Sequence, residues 1–152
     1  MAIIQRIKEK ARGDVKRIVL PEGDEPRTVQ AAGIIIREGL AKLTLLGEPE
    51  KVRAVAQAQG ACLDGVDIIH PAASPQAAEY AEALYQIRKA KGMTPEEAAE
   101  KAADPMYFGI LMVKLGDADG LVSGAAHSTG DMLRPALQII KAKPGIKTVS
   151  SC

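Results

Sequence analysis

Oxygen and nitrogen donors crowd into one short loop of the sequence, residues 123–131, which reads SGAAHSTGD. A short apolar strand is predicted before this loop, at residues 120–123, and a helix after it. A loop that enters a helix N-terminus leaves unpaired backbone N–H groups, and these groups attract anions together with the helix dipole. The residue types therefore indicate a cradle for phosphate or diphosphate.

The same loop also has the features of an ordinary helix cap. Ser128-Thr129-Gly130-Asp131 is a capping box with aspartate in place of glutamate. Helix caps are commoner than binding sites, so both interpretations stay open on the local sequence. The loop has neither the Gly-Lys-Ser/Thr of a Walker loop nor a GxGxxG fingerprint.

Three arginines are candidates for holding an anion near this loop. Arg134 lies immediately before Pro135, where a helix is kinked or begins afresh, and a plain surface arginine is the alternative. Arg88 continues the apolar stripe of its helix, so its guanidinium must snorkel, pair with a carboxylate or meet an anion. Arg27 follows Pro26 in the first turn of a helix, where a cation is unfavourable without an anionic partner.

Other polar side chains carry weaker signals. Asp117 and Asp119 could bind a divalent cation, but two acids in a glycine-flanked turn more often form a solvated corner. His127 could act as a base or donate to an anion, and a hydrogen-bonded structural histidine is the alternative. Cys62 and Cys152 have neither zinc-site spacing nor an activating neighbour, so both are interpreted as structural.

The composition excludes several classes of function. The chain has 152 residues, 47% apolar and 26% charged, with a net charge of +1, which suits one domain with a sizeable core. That charge is too small for phosphate-driven nucleic-acid binding, and one Phe and three Tyr offer few surfaces for stacking bases. No apolar run approaches a membrane span, and the N-terminus lacks a signal-peptide core, so a cytoplasmic location is expected.

Predicted strands and helices alternate along the chain and bring the candidate residues to one edge. This alternation predicts a three-layer α/β/α fold with a mostly parallel sheet, in which ligands bind at the carboxyl ends of the strands. The Pro-Glu-Gly-Asp-Glu turn after the first strand and the loop at 123–131 are therefore expected to share that edge. Strands are predicted at residues 17–20, 43–46, 66–69, 120–123 and 147–151. Helices are predicted at residues 26–39, 48–59, 75–91, 95–103 and 106–115, after an amphipathic N-terminal helix.

Two long segments of the sequence resemble a known family. IVLPEGDEPRTVQAA near the start and DADGLVSGAAHSTGDMLRPALQIIKAKPG near the end are similar to the phosphate acetyl/butyryl transferases. Members interconvert acetyl-CoA and phosphate with acetyl phosphate and CoA, and butyryl transfer is the alternative activity. The resemblance implies an isocitrate/isopropylmalate dehydrogenase-like fold of two α/β domains with the active site between them. Residues 1–152 match the first domain.

The resemblance also assigns roles by position. Arg88 and Arg134 match family arginines that hold CoA, including its phosphate groups, and the Ser128-Thr129 loop matches a cleft-lining segment. Arg27 matches an arginine on the same face. The family's catalytic serine, its neighbouring arginine and the aspartate proposed as base match no position here. Catalytic residues are therefore expected in a C-terminal half, and the isolated chain is expected to be inactive.

The family likeness implies a chemistry and an assembly as well. A carboxylate deprotonates the CoA thiol, the thiolate attacks the acetyl carbonyl of acetyl phosphate, and phosphate leaves. The implied enzyme is a cytoplasmic homodimer that uses CoA as substrate, needs no metal or other cofactor, and binds neither nucleic acid nor membrane. The alternative from a different class of function is a non-catalytic α/β module that binds a phosphorylated metabolite.

Overall fold

The computed structural model describes residues 2–146 and Thr148. Four parallel strands form one sheet in the order β3-β2-β1-β4. The chain therefore adds β2 and then β3 on one side of β1, and afterwards crosses to the other side of β1 to form β4. This reversal creates a crevice at the carboxyl ends of β1 and β4. The predicted parallel sheet is confirmed, and the strand predicted at 147–151 lies outside the described residues apart from Thr148. The strands are β1 (Lys16–Leu20), β2 (Ala41–Leu46), β3 (Asp67–Ile69) and β4 (Gly120–Leu121).

Helices cover both faces of this sheet. Val19 faces a core formed with α4 to α7, whereas the next residue, Leu20, faces a core formed with α2 and α3. This alternation along β1 is the two-residue period of a strand that is buried on both sides, and it confirms the three-layer arrangement. The helices of the described part are α1 (Ile3–Gly13), α2 (Pro26–Glu38), α3 (Pro49–Gln59), α4 (Ala77–Arg88), α5 (Pro95–Ala102), α6 (Pro105–Leu115) and α7 (Thr129–Ile139).

Most helices begin within one residue of the start that the sequence predicts. Glu25 caps α2, Asp104 caps α6, and Thr94 forms a complete capping box with Glu97 at the start of α5. The prediction for α4 is wrong at its start, because Ser74 and the two residues after it form a turn. The Ser74 hydroxyl accepts a hydrogen bond from Gln76 N at 3.3 Å, and the α-helix begins only at Ala77.

The strand at 120–123 is shorter than predicted. β4 pairs with β1 through Gly120 and Leu121 alone, and Val122 is 63% exposed. The chain leaves the sheet at Val122, although its N–H still donates to Val19 O at 3.1 Å. Val122 and Ser123, the last two residues of the predicted strand, therefore belong to the loop that follows β4.

The N-terminal helix α1 is amphipathic, as predicted, and contains no buried residue. It is attached to the end of α2 through Glu38: Lys8 Nζ lies 2.7 Å from the carboxylate oxygen Oε2, and Arg12 Nε donates to the backbone carbonyl oxygen at 2.9 Å. Its isoleucine side chains are largely exposed. Within the described part of the chain, no helix is both long and apolar enough to cross a bilayer.

Candidate functional site

The centre of the crevice between β1 and β4 is occupied by a buried carboxylate, that of Glu22. This residue follows β1 after Pro21 and is only 5% exposed to solvent. A charged side chain is rarely buried this deeply without partners, because it loses its hydration. The partners of Glu22 therefore indicate how this edge of the sheet is built.

Four consecutive backbone N–H groups donate to the Glu22 carboxylate. Gly124 N and Ala125 N lie 3.1 and 2.9 Å from Oε2, and Ala126 N and His127 N each lie 2.8 Å from Oε1. The His127 Nδ1 atom also lies 2.8 Å from Oε1. We call Glu22 together with residues 124–127 the Glu22 clamp.

The Glu22 clamp corrects the expectation of free N–H groups in the loop at 123–131. The donors of residues 124–127 are already occupied by the chain's own carboxylate. Thr129 N and Gly130 N, in the first turn of α7, have no partner within the part of the chain that is described. Backbone donors therefore remain available to an anion at the start of α7, and not at residues 124–127.

The capping interpretation of Ser128 is confirmed. Its hydroxyl oxygen accepts a hydrogen bond from Asp131 N at 3.2 Å and lies 2.6 Å from Asp131 Oδ2. The hydrogen bonds from Ser128 to the Asp131 carboxylate, and further the positive charge of Arg134, lower the pKa of Asp131. An ionised aspartate in the first turn also interacts favourably with the helix dipole.

Hydrogen bonding within the clamp keeps Glu22 ionised. Burial raises the pKa of Glu22, but the hydrogen bonds from Ala126, His127 and Ala125 outweigh that effect and lower it to about 2. Because an ionised carboxylate can only accept hydrogen bonds, His127 Nδ1 must carry the proton between the two side chains. The remaining ring nitrogen, Nε2, is the one that His127 can offer to a ligand.

Arg27 approaches the same loop from α2. Its Nη2 donates to Ala125 O at 2.6 Å, and its Nε lies 2.6 Å from Glu25 Oε1. The side chain is 73% exposed, so the guanidinium keeps much of its surface open to solvent. The structure thus brings Arg27 to the loop, as predicted, through a contact with the protein backbone.

Gly23 lets the turn after β1 pass close to the end of β2. Its N–H donates to Leu46 O at 3.0 Å, and a Cβ atom at this position would lie 2.5 Å from that same oxygen. The clashing atom belongs to the backbone, so no side-chain rotation can relieve the overlap. A side chain at residue 23 would therefore displace the turn that carries Glu22.

Replacement of Gly23 by alanine is expected to lower the free energy of unfolding by about 2 kcal/mol or more, because the methyl group overlaps a fixed carbonyl. Denaturant unfolding followed by circular dichroism measures the loss. Gly13→Ala is the matched control, since a Cβ there meets no atom within 4 Å. Equal stability of the two variants would contradict the close approach at Gly23.

Two cavities flank Glu22. One, of about 270 Å³, lies over the carboxyl ends of the strands and is lined by His127, His70 and Lys51, among others. The other, of about 700 Å³, is a mainly apolar groove beside α1 and α2, and Arg27 and Ser123 line it. The Ser123 Oγ atom is buried and has no hydrogen-bond partner within the described residues.

Arg134 is exposed on α7, one residue before Pro135. The helix runs through this proline from Thr129 to Ile139, so a fresh start at Pro135, one of two expected arrangements, is not observed. Arg134 lies about 9 Å along the helix axis from the Ser128 cap, at 1.5 Å per residue. It therefore lies on the same helix as the free N–H groups of Thr129 and Gly130.

Arg88 is the last residue of α4, and its position on the apolar stripe is confirmed. Leu84, one turn before it, is fully buried, and Arg88 itself is half-buried. Its Nε atom is buried without a hydrogen-bond partner in the described part. The structure does not join Arg88 to Arg134 or to the Glu22 clamp by any hydrogen bond or ion pair among those residues.

The two aspartates before β4 lie at the opposite, amino edge of the sheet. Asp119 pairs with Arg17 at 2.9 Å, and Asp117 accepts a hydrogen bond from the buried Tyr80 hydroxyl. Both carboxylates thus fasten neighbouring elements together. No group of three or more metal-ligating side chains occurs within residues 2–146 and Thr148.

Comparison with known proteins adds a decisive observation to this geometry. A family model described as "Phosphate acetyl/butaryl transferase" matches residues 2–152 of the chain. The chain belongs to this phosphate acetyl/butyryl transferase family. The match to the family includes all the residues described above, among them the Glu22 clamp, Arg88 and α7.

Curated relatives of this phosphate acetyl/butyryl transferase chain are named phosphate acetyltransferases. The one from Thermoanaerobacterium thermosaccharolyticum is 52% identical over 151 residues, which are 99% of this chain and 45% of the relative. The one from Deinococcus radiodurans is 49% identical over 144 residues, which are 94% of this chain and 20% of the relative. The chain therefore spans less than half the length of these relatives.

Solved structures of the phosphate acetyl/butyryl transferase family share the fold. A phosphotransacetylase from Streptococcus pyogenes superimposes with a TM-score of 0.90 at 42% identity, over 97% of this chain and 46% of that one. The EutD phosphotransacetylase from Staphylococcus aureus gives a TM-score of 0.86 at 42% identity, over 95% and 44% of the two chains. The chain thus shares its fold with both of these structures.

One residue of the candidate site, Glu22, was missed by sequence reasoning. Glu22 lies in the Pro-Glu-Gly turn that was assigned to the ligand edge, yet the sequence offers no sign of its partners. The only available signal is a glutamate directly between a strand end and a glycine, at the edge where a parallel sheet binds its ligands. That signal marks a position without indicating its role.

Proposed function

We propose that this chain is the CoA- and phosphate-binding portion of a phosphate acetyltransferase. The complete enzyme would interconvert acetyl-CoA and phosphate with acetyl phosphate and CoA. One observation carries the proposal: 99% of the chain is similar to a phosphate acetyltransferase at 52% identity, with the whole β1–β4 edge included. The start of α7 supplies the chemistry expected of an anion site at that edge.

The proposed binding residues act on the phosphate groups of the substrates. Thr129 and Gly130 offer backbone N–H groups at the positive end of α7, beside the Ser128 hydroxyl. Arg134, one to two turns along that helix, offers a guanidinium whose paired N–H groups match a phosphate. Arg88 offers a second guanidinium whose Nε atom has no partner within the described part of the chain.

Glu22 is unsuited to be the base that activates the CoA thiol. A free thiol has a pKa of about 8.5 and needs a base that takes its proton near neutral pH. The pKa of Glu22 is about 2, and both of its oxygens already accept hydrogen bonds from the loop. We therefore assign the thiol base, and the group that stabilises the tetrahedral oxyanion, to the part of the relatives that this chain does not span.

The family likeness supports further proposals about the complete enzyme. It would act as a homodimer in the cytoplasm, with CoA as substrate and no metal or other cofactor in the chemistry. We propose that the transferred group is acetyl and not butyryl, because the curated relatives cited above are named phosphate acetyltransferases.

Removal of either proposed CoA-binding arginine is expected to weaken CoA binding at least about tenfold, because a charge-assisted contact contributes ~1.5–3 kcal/mol. The test protein is a chimera in which this chain replaces the matching residues of the Thermoanaerobacterium thermosaccharolyticum relative. Arg134→Ala and Arg88→Ala are each compared with the parent chimera, and the KM for CoA is measured from initial rates.

Arg53→Ala serves as the control, because Arg53 is an exposed arginine on α3 whose ion pair is with Glu50 of the same helix. Its KM is expected to stay unchanged. An unchanged KM for CoA in the Arg134 and Arg88 variants would remove both residues from the binding site.

A further inference from the structure

The donors of the Glu22 clamp have the arrangement of an anion-binding site. Successive backbone N–H groups that converge on one point form a nest, a concavity that proteins use to bind phosphate and other oxyanions. In the clamp, residues 124–127 direct four successive N–H groups at two carboxylate oxygens, at 2.8 to 3.1 Å. The anion in this nest is the side chain of Glu22, supplied by the turn after β1.

The contact joins two segments that are distant in the sequence. Glu22 and the residues that donate to it are separated by 102 to 105 positions. Arg27 adds a second link, since its Nη2 donates to Ala125 O at 2.6 Å. The turn after β1 therefore binds donors of the loop, and the first turn of α2 binds one of its acceptors.

The nest lies immediately before the helix that carries the proposed binding groups. His127, its last residue, precedes the Ser128 cap of α7, and no residue lies between them to absorb a displacement. The N–H groups of Thr129 and Gly130 follow directly. The position of the nest thus determines where the first turn of α7 begins.

We propose that residues 124–127 are an oxyanion nest filled by the chain's own Glu22 carboxylate, and that Glu22 is thereby the positioning residue for the anion-binding start of α7. Glu22 does not touch substrate in this arrangement. Its negative charge also closes the nest to external phosphate, which leaves Thr129, Gly130 and Arg134 as the groups for the substrate. The role of Glu22 in positioning an anion-binding start of α7 rests on the proposed function, whereas the filling of the nest by Glu22 does not.

Chemical rescue tests the nest directly. Glu22→Ala empties the nest in this 152-residue chain, and formate is added as a small carboxylate that can take the vacated place. We expect the melting temperature to fall by at least about 6 °C, and formate to restore most of it. Formamide, a neutral molecule of similar size, is expected to restore none.

Nuclear magnetic resonance shows where the rescue occurs. The amide signals of residues 124–127 and the Nδ1 proton of His127 should shift in Glu22→Ala and return with formate. If Glu22→Ala is unfolded, recovery of the folded spectrum with formate and not with formamide is the equivalent result. Glu22→Asp, which keeps the charge on a shorter side chain, is expected to lose less stability than Glu22→Ala.

Equal effects of formate and formamide, or a Glu22→Ala chain as stable as the parent, would overturn the proposal. The positioning role has its own measurement, the affinity of the chain for CoA by calorimetry. Glu22→Ala should weaken CoA binding and formate should restore it, and CoA affinity unaffected by Glu22→Ala would overturn the positioning role. Failure of the parent chain to bind CoA would instead contradict the proposed function, while the melting experiment still decides whether the nest is filled.

Discussion

Glu22→Gln is expected to lower the free energy of unfolding by at least about 3 kcal/mol at neutral pH. The amide has nearly the same shape as the carboxylate, but its NH₂ group must face N–H donors of residues 124–127. Two or more buried donors then lose their acceptor, and the charge that strengthened the remaining hydrogen bonds is gone. Urea unfolding of parent and variant, followed by circular dichroism, measures the difference.

The difference in free energy of unfolding between the parent and Glu22→Gln is expected to decrease as the pH is lowered. The pKa of Glu22 falls from its ordinary 4.5 to about 2 on folding, so the unfolded chain binds more protons between these values. Stability therefore rises with pH in that range, and the contribution of the ionised carboxylate is complete above about pH 5. A shift of this size corresponds to about 3 kcal/mol. The gap between parent and Glu22→Gln should shrink as the pH is lowered from 5 towards 2.

Glu96→Gln is the matched control for both measurements. Glu96 is an exposed glutamate in the first turn of α5 and makes no hydrogen bond among the described residues. We expect it to change stability by less than about 0.5 kcal/mol. A constant gap between parent and Glu22→Gln across the acid range would contradict the role of the charged carboxylate.

Turnover is expected from the chimera and not from this chain alone. The chain offers cationic and backbone groups for phosphates, but Glu22 is committed to the clamp and cannot serve as thiol base. Removing the base and the oxyanion donor from an acyl transfer leaves the bound thiol unactivated. Release of CoA from acetyl-CoA in the presence of phosphate, followed with a thiol reagent, is the assay for both proteins.

Binding of CoA to both proteins is the control that separates the two halves of this prediction. Equal CoA affinity with turnover only in the chimera is the expected result. Turnover by the isolated chain would show that a base lies within it. A folded chimera that binds CoA without turnover would contradict the assignment of the remaining machinery to the other part of the relative.

Much of the fold follows from local sequence rules. Short apolar runs that end at glycine or proline predict β1 to β3, and Thr94, Asp104 and Glu25 mark helix starts through their capping hydrogen bonds. The rules fail where local alternatives are close in energy. The helix predicted from residue 75 begins only at Ala77, after a turn at Ser74, and β4 is shorter than predicted because only Gly120 and Leu121 pair with β1.

The candidate site was harder to predict because its decisive contact is not local. The residue types of the loop predict an anion at its backbone donors, and an anion is indeed there, but it comes from the chain itself. No rule based on neighbouring residues connects Glu22 to donors more than 100 positions away. The start of α7, where Ser128 caps the helix, was within reach of local reasoning and is confirmed as a cap.

The strand order also has a consequence for how the chain folds. β1 pairs with β2 across a single helix, whereas β4 and the Glu22 clamp must return to β1 over a segment of about 100 residues, which costs more loop-closure entropy. We therefore expect the β1-α2-β2-α3-β3 segment to form early and the β4 pairing late. On this route, the loop at 123–131 is among the last described parts of the molecule to become ordered, and its order reports that β1 to β4 have all paired.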